Sequence, residues 1–170
     1  MIKNKNLVLV GFMGSGKSVA ATLLVELLNR EKVSTDQMIE AKAGAKISKI
    51  FESFGESYFR KVERDIVSEV AKCQNVIIDC GGGVVLDKAN VANLKKSGIL
   101  IYLSASAKVI FERVKNTSRR PLLQVDDPLK RIKALLKERE KYYAQADYTI
   151  DTDGKSNEQV CDEILKLISN

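Results

Sequence analysis

The residues Gly11-Phe12-Met13-Gly14-Ser15-Gly16-Lys17-Ser18 satisfy the pattern G-x-x-x-x-G-K-[ST], and each fixed position has a chemical use. Glycines let consecutive backbone N–H groups turn inward around phosphate oxygens, and a helix that follows adds the positive end of its dipole. The lysine of such a loop reaches the β- and γ-phosphates of a nucleoside triphosphate, and the hydroxyl beside it is a ligand for Mg²⁺. Gly14, Ser15, Gly16, Lys17, Ser18 and Val19 are therefore candidate ATP-binding residues, with Lys17 also a catalytic candidate and Ser18 the candidate metal ligand. A tight strand-to-helix turn would account for the glycines alone and leaves Lys17-Ser18 unexplained. The loop does not identify the acceptor, because GTPases, ATP-driven motors and small-molecule kinases share it.

Three further groups of residues bear on the acceptor. Ser34-Thr35-Asp36 stands at a helix start, where Asp36 is either an N-cap or a functional carboxylate. In Gly55-Glu56-Ser57-Tyr58-Phe59-Arg60-Lys61-Val62-Glu63, the two glutamates lie at i−4 and i+3 from Arg60, so both can hold its guanidinium. Glu63 shares a helical face with Phe59, Ile66 and Val70, and a carboxylate on an apolar stripe needs a partner. Arg139 lies on the stripe marked by Ile132, Leu136 and Tyr143, where it meets a buried anion, pairs with a core carboxylate or snorkels. Two planar guanidinium forks suit a small carboxylated metabolite better than a protein or a nucleic acid.

The composition excludes several other chemistries. The 170 residues contain no His, which removes Ser-His-Asp and Cys-His nucleophiles, His-ligated zinc and a His general base. With 28 Lys plus Arg against 22 Asp plus Glu the formal net charge is +6, compatible with anionic ligands. The basic residues form no stripe interleaved with aromatics, so nucleic acid is not expected as a partner. Apolar runs are a few residues long, so no membrane span is expected. Cys73, Cys80 and Cys161 form neither a CxxC pair nor an even set, and no signal segment precedes the first strand, which fits a reduced, cytoplasmic protein.

These residues need a scaffold, and the apolar pattern outlines one. Leu7-Val8-Leu9-Val10 reads as a buried strand feeding through the glycine-rich turn into a helix over Val19 to Leu28. Further strands are expected at Val76 to Ile78, Ile99 to Leu103 and Tyr148 to Ile150. Helices are expected at Asp87 to Lys96, Ala107 to Val114, Pro128 to Tyr143 behind an Asp127 cap, and Ser156 to Ile168 with a Ser156/Gln159 capping box. Alternating strands and helices predict one α/β domain over 1–170 with a largely parallel sheet, whose ligands gather at the carboxyl ends of the strands. Residues 36–72 form a long helical insertion, and 115–127 a polar connector carrying Arg119-Arg120-Pro121.

In this order the chain resembles shikimate kinases, from about Leu7 to Ile168. The matching pieces are GFMGSGKS at 11–18, T-D at 35–36 followed by Ile39-Glu40, GE..FR..E at 55–63, GGG at 81–83, RRPLL at 119–123 and R..YY at 139–143. The resemblance implies a three-layer αβα P-loop fold like that of nucleoside monophosphate kinases, with a five-stranded parallel sheet, a substrate-binding insertion at about 34–72 and a lid at about 115–127. It implies transfer of the γ-phosphoryl group of ATP to the 3-hydroxyl of shikimate, with Mg²⁺, by a monomer, on the way to chorismate and the aromatic amino acids. By position it places the shikimate carboxylate on Arg60 and Arg139, and the ring hydroxyls on Asp36 and the backbone of Gly81, Gly82 and Gly83. Asp36 is also the candidate base or orienter of the attacking hydroxyl, Arg120 the lid arginine at the transferring phosphoryl group, and Arg113 the arginine beside the adenine.

The resemblance is broken at one place. The family commonly reads D-T-D where this chain reads Ser34-Thr35-Asp36, so the first carboxylate, associated there with a Mg²⁺-bound water, is missing. Asp79, at the end of the next strand and before Cys80 and the glycines, is expected to take over that contact. Two other readings compete: a phosphate-loop kinase for another small hydroxylated acid or a nucleotide, and a nucleotide-dependent switch without transfer activity. Retention of Asp36, Arg60, Arg120 and Arg139 together argues against the switch.

Overall fold

The computed structural model describes residues 5–116 and 125–169. Five parallel strands, β1 (Asn6–Val10), β2 (Lys32–Ser34), β3 (Ile77–Asp79), β4 (Gly98–Ser104) and β5 (Tyr148–Asp151), form one sheet in the order β2-β3-β1-β4-β5. The connections run through helices α1 (Lys17–Leu28), α2 (Thr35–Ala43), α3 (Ile47–Val70), α4 (Lys88–Ser97), α5 (Ala107–Val114) and α6 (Pro128–Tyr143). Helix α7 (Asn157–Ser169) follows β5.

The central strand β1 explains the layering. Its uninterrupted apolar run is buried on both sides, as strands of covered parallel sheets are. Leu7 and Leu9 pack with Ala20, Ala21 and Leu24 of α1 and with Val160 and Ile164 of α7. Val8 and Val10 point the opposite way, toward Ile66, Val67 and Val70 of α3 and Val91 and Leu94 of α4. The sheet is therefore a middle layer between two helical ones. A third cluster, Phe12, Ile110, Val114, Ile132 and Leu135, joins α5 to α6 above the carboxyl end of β1.

Capping follows the expected local chemistry. Asp127 accepts from Lys130 N at 2.9 Å at the start of α6, and Ser156 and Gln159 exchange both bonds of a capping box, at 2.8 and 3.3 Å. Helix α1 begins at Lys17, two residues before the apolar run that suggests it. Leu135 rather than Leu136 is the buried position on the α6 stripe. The strand missing from the apolar pattern is β2: it has three residues, two of them polar, and exists because it pairs with β3 at the sheet edge.

Two elements go beyond regular geometry. Helix α3 is kinked at Gly55, whose φ of +76° and ψ of 175° leave the helical region, a conformation that glycine tolerates without steric cost. The result is a second helical run that starts at Glu56 and carries Arg60 and Glu63. After β3 the chain passes through Gly81–Gly83 into a short 3₁₀ turn, Val84–Leu86.

Candidate active site

The strand order reverses at β1, which has β3 on one side and β4 on the other, so a crevice opens at its carboxyl end. The glycine-rich loop occupies that crevice. Gly16 has φ +98° and leads directly into α1, whose N-terminal N–H groups face the cleft. Lys17 is 8% exposed, and its Nζ donates to Gly11 O at 2.8 Å and Phe12 O at 3.0 Å. Those carbonyls fold the lysine back over the loop, with its ammonium where phosphate oxygens would bind. A cleft of about 560 Å³ opens there, lined among others by Lys17, Ser18, Asp36, Asp79, Gly82 and Arg113. Val19 is half exposed at its edge, and Ser15 is buried with an Oγ that has no hydrogen-bond partner.

Asp36 does not cap α2. Ser34 does, accepting from Gln37 N at 3.4 Å, and this leaves Asp36 in the first turn with its carboxylate over Gly81. A β-carbon on Gly81 would stand 2.5 Å from Asp36 Oδ1, so any other residue there would displace that carboxylate. Thr35, fully buried, ties the two segments together by accepting from Gly81 N at 3.0 Å.

On the other side of the glycines, Glu56 and Glu63 hold Arg60 as their spacing requires. Nη1 donates to Glu63 Oε2 at 2.7 Å, and Nη2 to Glu56 Oε1 at 3.2 Å. A β-carbon on Gly83 would lie 2.7 Å from both Nη atoms. Burial alone would lower the Arg60 pKa, and the two carboxylates more than reverse this. Arg139 is 7% exposed, lies with Cζ 5.5 Å over the Phe12 ring, and makes no salt bridge with any described residue. Its Nε has no hydrogen-bond partner. The alternative of a core carboxylate partner is thus not realised among the described residues. A buried guanidinium with an orphaned Nε and no carboxylate partner among the described residues is suited to an anion.

Burial also raises the pKa of Glu63 above its ordinary 4.5, with Arg60 opposing the rise and the charges of Asp36 and Asp87 adding to it. A carboxyl raised in the folded state holds its proton more tightly there than in the unfolded chain. Its contribution to stability therefore falls as pH rises from about 4.5 through the folded value and is constant above. Glu63→Gln cannot ionise, so the urea midpoint of the variant minus that of the wild type should increase with pH across this window. A difference that stayed flat or decreased would show that the ion pair with Arg60 outweighs burial.

Asp79 ends β3 in register with Ser34 of β2 on one side and Leu9 of β1 on the other. It is 6% exposed, and its carboxylate makes no hydrogen bond or salt bridge with any described residue. A carboxylate and the Ser18 hydroxyl lining one cleft are oxygen donors of the kind a hard divalent cation takes. Arg113 donates to Gly14 O at 3.2 Å and to Thr152 Oγ1 at 3.2 Å, so it fastens the loop to the turn after β5. Burial pushes the Cys80 thiol well up, which makes it a small buried side chain and not a nucleophile. Arg120 and the RRPLL segment lie outside the described residues.

The structure thus brings the phosphate loop, Asp36, Asp79, the three glycines, Arg60 and Arg139 to one end of the sheet. Two residues there escape a sequence reading: Thr35, visible only as part of T-D, and Tyr143, whose hydroxyl donates to Gly82 O at 2.7 Å. In the sequence they enter only as members of the T-D and R..YY pieces and of the α6 stripe, because the backbone partners of their hydroxyls are set by the fold.

A phosphate-binding loop at the switch point, an acceptor carboxylate facing it and a helical insertion bearing an arginine define a P-loop small-molecule kinase. A family model described as "Shikimate kinase" matches residues 13–169. The chain is 46% identical over 162 residues to the shikimate kinase of Thermodesulfovibrio yellowstonii, covering 95% of this chain and 94% of that one. It is 44% identical over 162 residues to that of Caldanaerobacter subterraneus, with 95% of each covered. Its fold superposes with a TM-score of 0.93 on the shikimate kinase from Acinetobacter baumannii in complex with shikimate, at 37% identity, covering 97% of this chain and 93% of that one. The chain belongs to the shikimate kinase family.

Proposed function

We propose that this enzyme, an ATP-dependent phosphotransferase of the shikimate kinase family, moves the γ-phosphoryl group of ATP to the 3-hydroxyl of shikimate. The observation that carries the acceptor is Arg139, a buried guanidinium with an unpartnered Nε and no described counter-ion. Together with Arg60, which lies against Gly83, it suits one planar carboxylate, with the ring extending toward Asp36 and the cleft. Asp36 accepts or orients the attacking hydroxyl. Lys17 and the N-terminal amides of α1 take the charge that spreads over the equatorial oxygens. The family resemblance gives Arg120, outside the described residues, the remaining share of this neutralisation. Arg113 stands where the nucleotide base leaves the loop.

Ser18 and Asp79 are the residues that would hold the cation, Asp79 in the role that the missing carboxylate at position 34 has in the resemblance. When bound, Mg²⁺ neutralises the phosphates and orients them for in-line transfer. The reading includes one monomeric kinase domain in a reducing, cytoplasmic compartment, supported by three free cysteines.

The test is ADP release from Mg·ATP with shikimate, set beside quinate and a nucleoside monophosphate. Release with shikimate alone supports the assignment, release with another acceptor overturns the substrate, and no acceptor-dependent release overturns transfer. Asp79→Asn should raise the Mg²⁺ concentration for half-maximal turnover and weaken Mn²⁺ binding to the ADP complex, read by electron paramagnetic resonance. Unchanged Mn²⁺ binding would reduce Asp79 to a strand-end structural residue.

A further inference from the structure

Three consecutive glycines cannot anchor themselves by side chains, yet each touches a different part of the acceptor site. Gly81 lies under the Asp36 carboxylate and Gly83 against the Arg60 guanidinium. Gly82 backs onto the phosphate loop, where an added β-carbon would lie 3.3 Å from Met13 N and 3.4 Å from Gly11 O. The spacing between base, clamp and phosphate loop is therefore set by where this tripeptide sits.

Its own backbone bonds decide that position. The carbonyl of Gly81 accepts from Val84 N at 3.2 Å and that of Gly83 from Leu86 N at 3.0 Å, both inside the 3₁₀ turn that follows. The Gly81 N–H goes to Thr35. The Gly82 carbonyl has a partner from a distant element, the Tyr143 hydroxyl at 2.7 Å. Tyr143 is 1% exposed, and its ring stacks on Tyr102 with centroids 4.5 Å apart and planes 2° from parallel, so the phenol has one direction available. Burial pushes its pKa up to about 12, the charge of Arg139 and a hydrogen bond between the two side chains opposing, so the neutral hydroxyl meets both the Gly82 carbonyl and Arg139.

Tyr143 stands one turn after Arg139 on the same face of α6. One helix thus delivers both the buried guanidinium and the bond that locates the glycines.

We infer that Tyr143 is a positioning residue of the acceptor site, keying α6 onto Gly82 so that Arg139, Arg60 and Asp36 keep one fixed spacing around the substrate. It acts through Gly82 and Arg139, the two groups its hydroxyl meets. This rests on the assignment of shikimate as acceptor, and it makes acceptor affinity depend on a hydroxyl remote from the reacting atoms.

The test is Tyr143→Phe, which preserves the stack on Tyr102 and removes only the hydroxyl. Loss of the hydroxyl, with its bond to Gly82 and its contact with Arg139, should lower kcat/KM for shikimate by about tenfold, chiefly through KM, with the shikimate Kd from calorimetry weakened in parallel. ATP affinity and shikimate-independent ATP hydrolysis should stay within about twofold, because the nucleotide loop keeps its own bonds. An unchanged shikimate KM and Kd would overturn the inference, as would an equal loss of ATP affinity, the mark of a merely structural role. A wild-type protein inert toward shikimate but active on another acceptor would overturn the substrate beneath it instead, a result visible before any variant is made.

Discussion

Replacing Lys17 by methionine should lower kcat by about a thousandfold while leaving the fold intact. The magnitude is that of removing one preorganised donor from a developing anion in a water-poor site. Lys17 is 8% exposed, and its ammonium is held over the loop by the carbonyls of Gly11 and Phe12. Nucleotide binding would exchange these neutral carbonyls for phosphate oxygens, to which a charged donor bonds more strongly. Methionine keeps most of the aliphatic length and removes only the charge. Single-turnover phosphoryl transfer at saturating ATP should carry nearly all of the loss, with a smaller change in nucleotide affinity from fluorescence titration. A variant that binds ATP poorly but turns over normally when saturated would make Lys17 a ground-state anchor only.

The second large effect concerns Arg139. Arg139→Ala should reduce kcat/KM for shikimate by about a hundredfold to a thousandfold, within the 2–5 kcal/mol typical of truncating a buried charge pair. Stability should move far less, and in either direction. In the free protein the guanidinium is buried without a described counter-ion, so its removal relieves a desolvation cost even as its packing on Phe12 is lost. The melting temperature without ligand should therefore shift by a few degrees at most. The stabilisation that shikimate gives the wild type should vanish in the variant. Arg139→Lys should not rescue, because an ammonium cannot present a planar fork. Normal shikimate affinity in Arg139→Ala would place the carboxylate elsewhere.

Both effects trace to features of different visibility. The Lys17 contribution was readable at once, because the phosphate loop is contiguous and its glycines, lysine and hydroxyl each answer a local need of a phosphate chain. The clamp of Glu56 and Glu63 on Arg60 was equally local, since i−4 and i+3 spacings on one helix fix the partners whatever the helix packs against. Caps at Asp127 and Ser156 belong to the same class.

Other features required contacts between distant segments. Strand β2 has almost no apolar signal and forms because β3 offers it a pairing edge. That pairing puts Ser34 in register with Asp79, so the substitution at position 34 acquires meaning only in the sheet, where a carboxylate on the neighbouring strand stands beside it. Asp36 was ambiguous between cap and functional group, and was decided by Ser34 taking the cap and Gly81 leaving room for the carboxylate. Arg139 could have met a core carboxylate, and only the packing of α6 against Phe12 left its Nε without a partner.

The sequence by itself determined the phosphate chemistry, the alternation of strands and helices, and the residue types of an acceptor clamp, because each depends on neighbours within about a turn or on strand periodicity. The tertiary structure decided which of these residues share a pocket, what holds the glycine tripeptide in place and which buried charge was left unpaired. Those depend on distances between residues 60, 82, 139 and 143, and a chain's order along its length does not encode such distances until it folds.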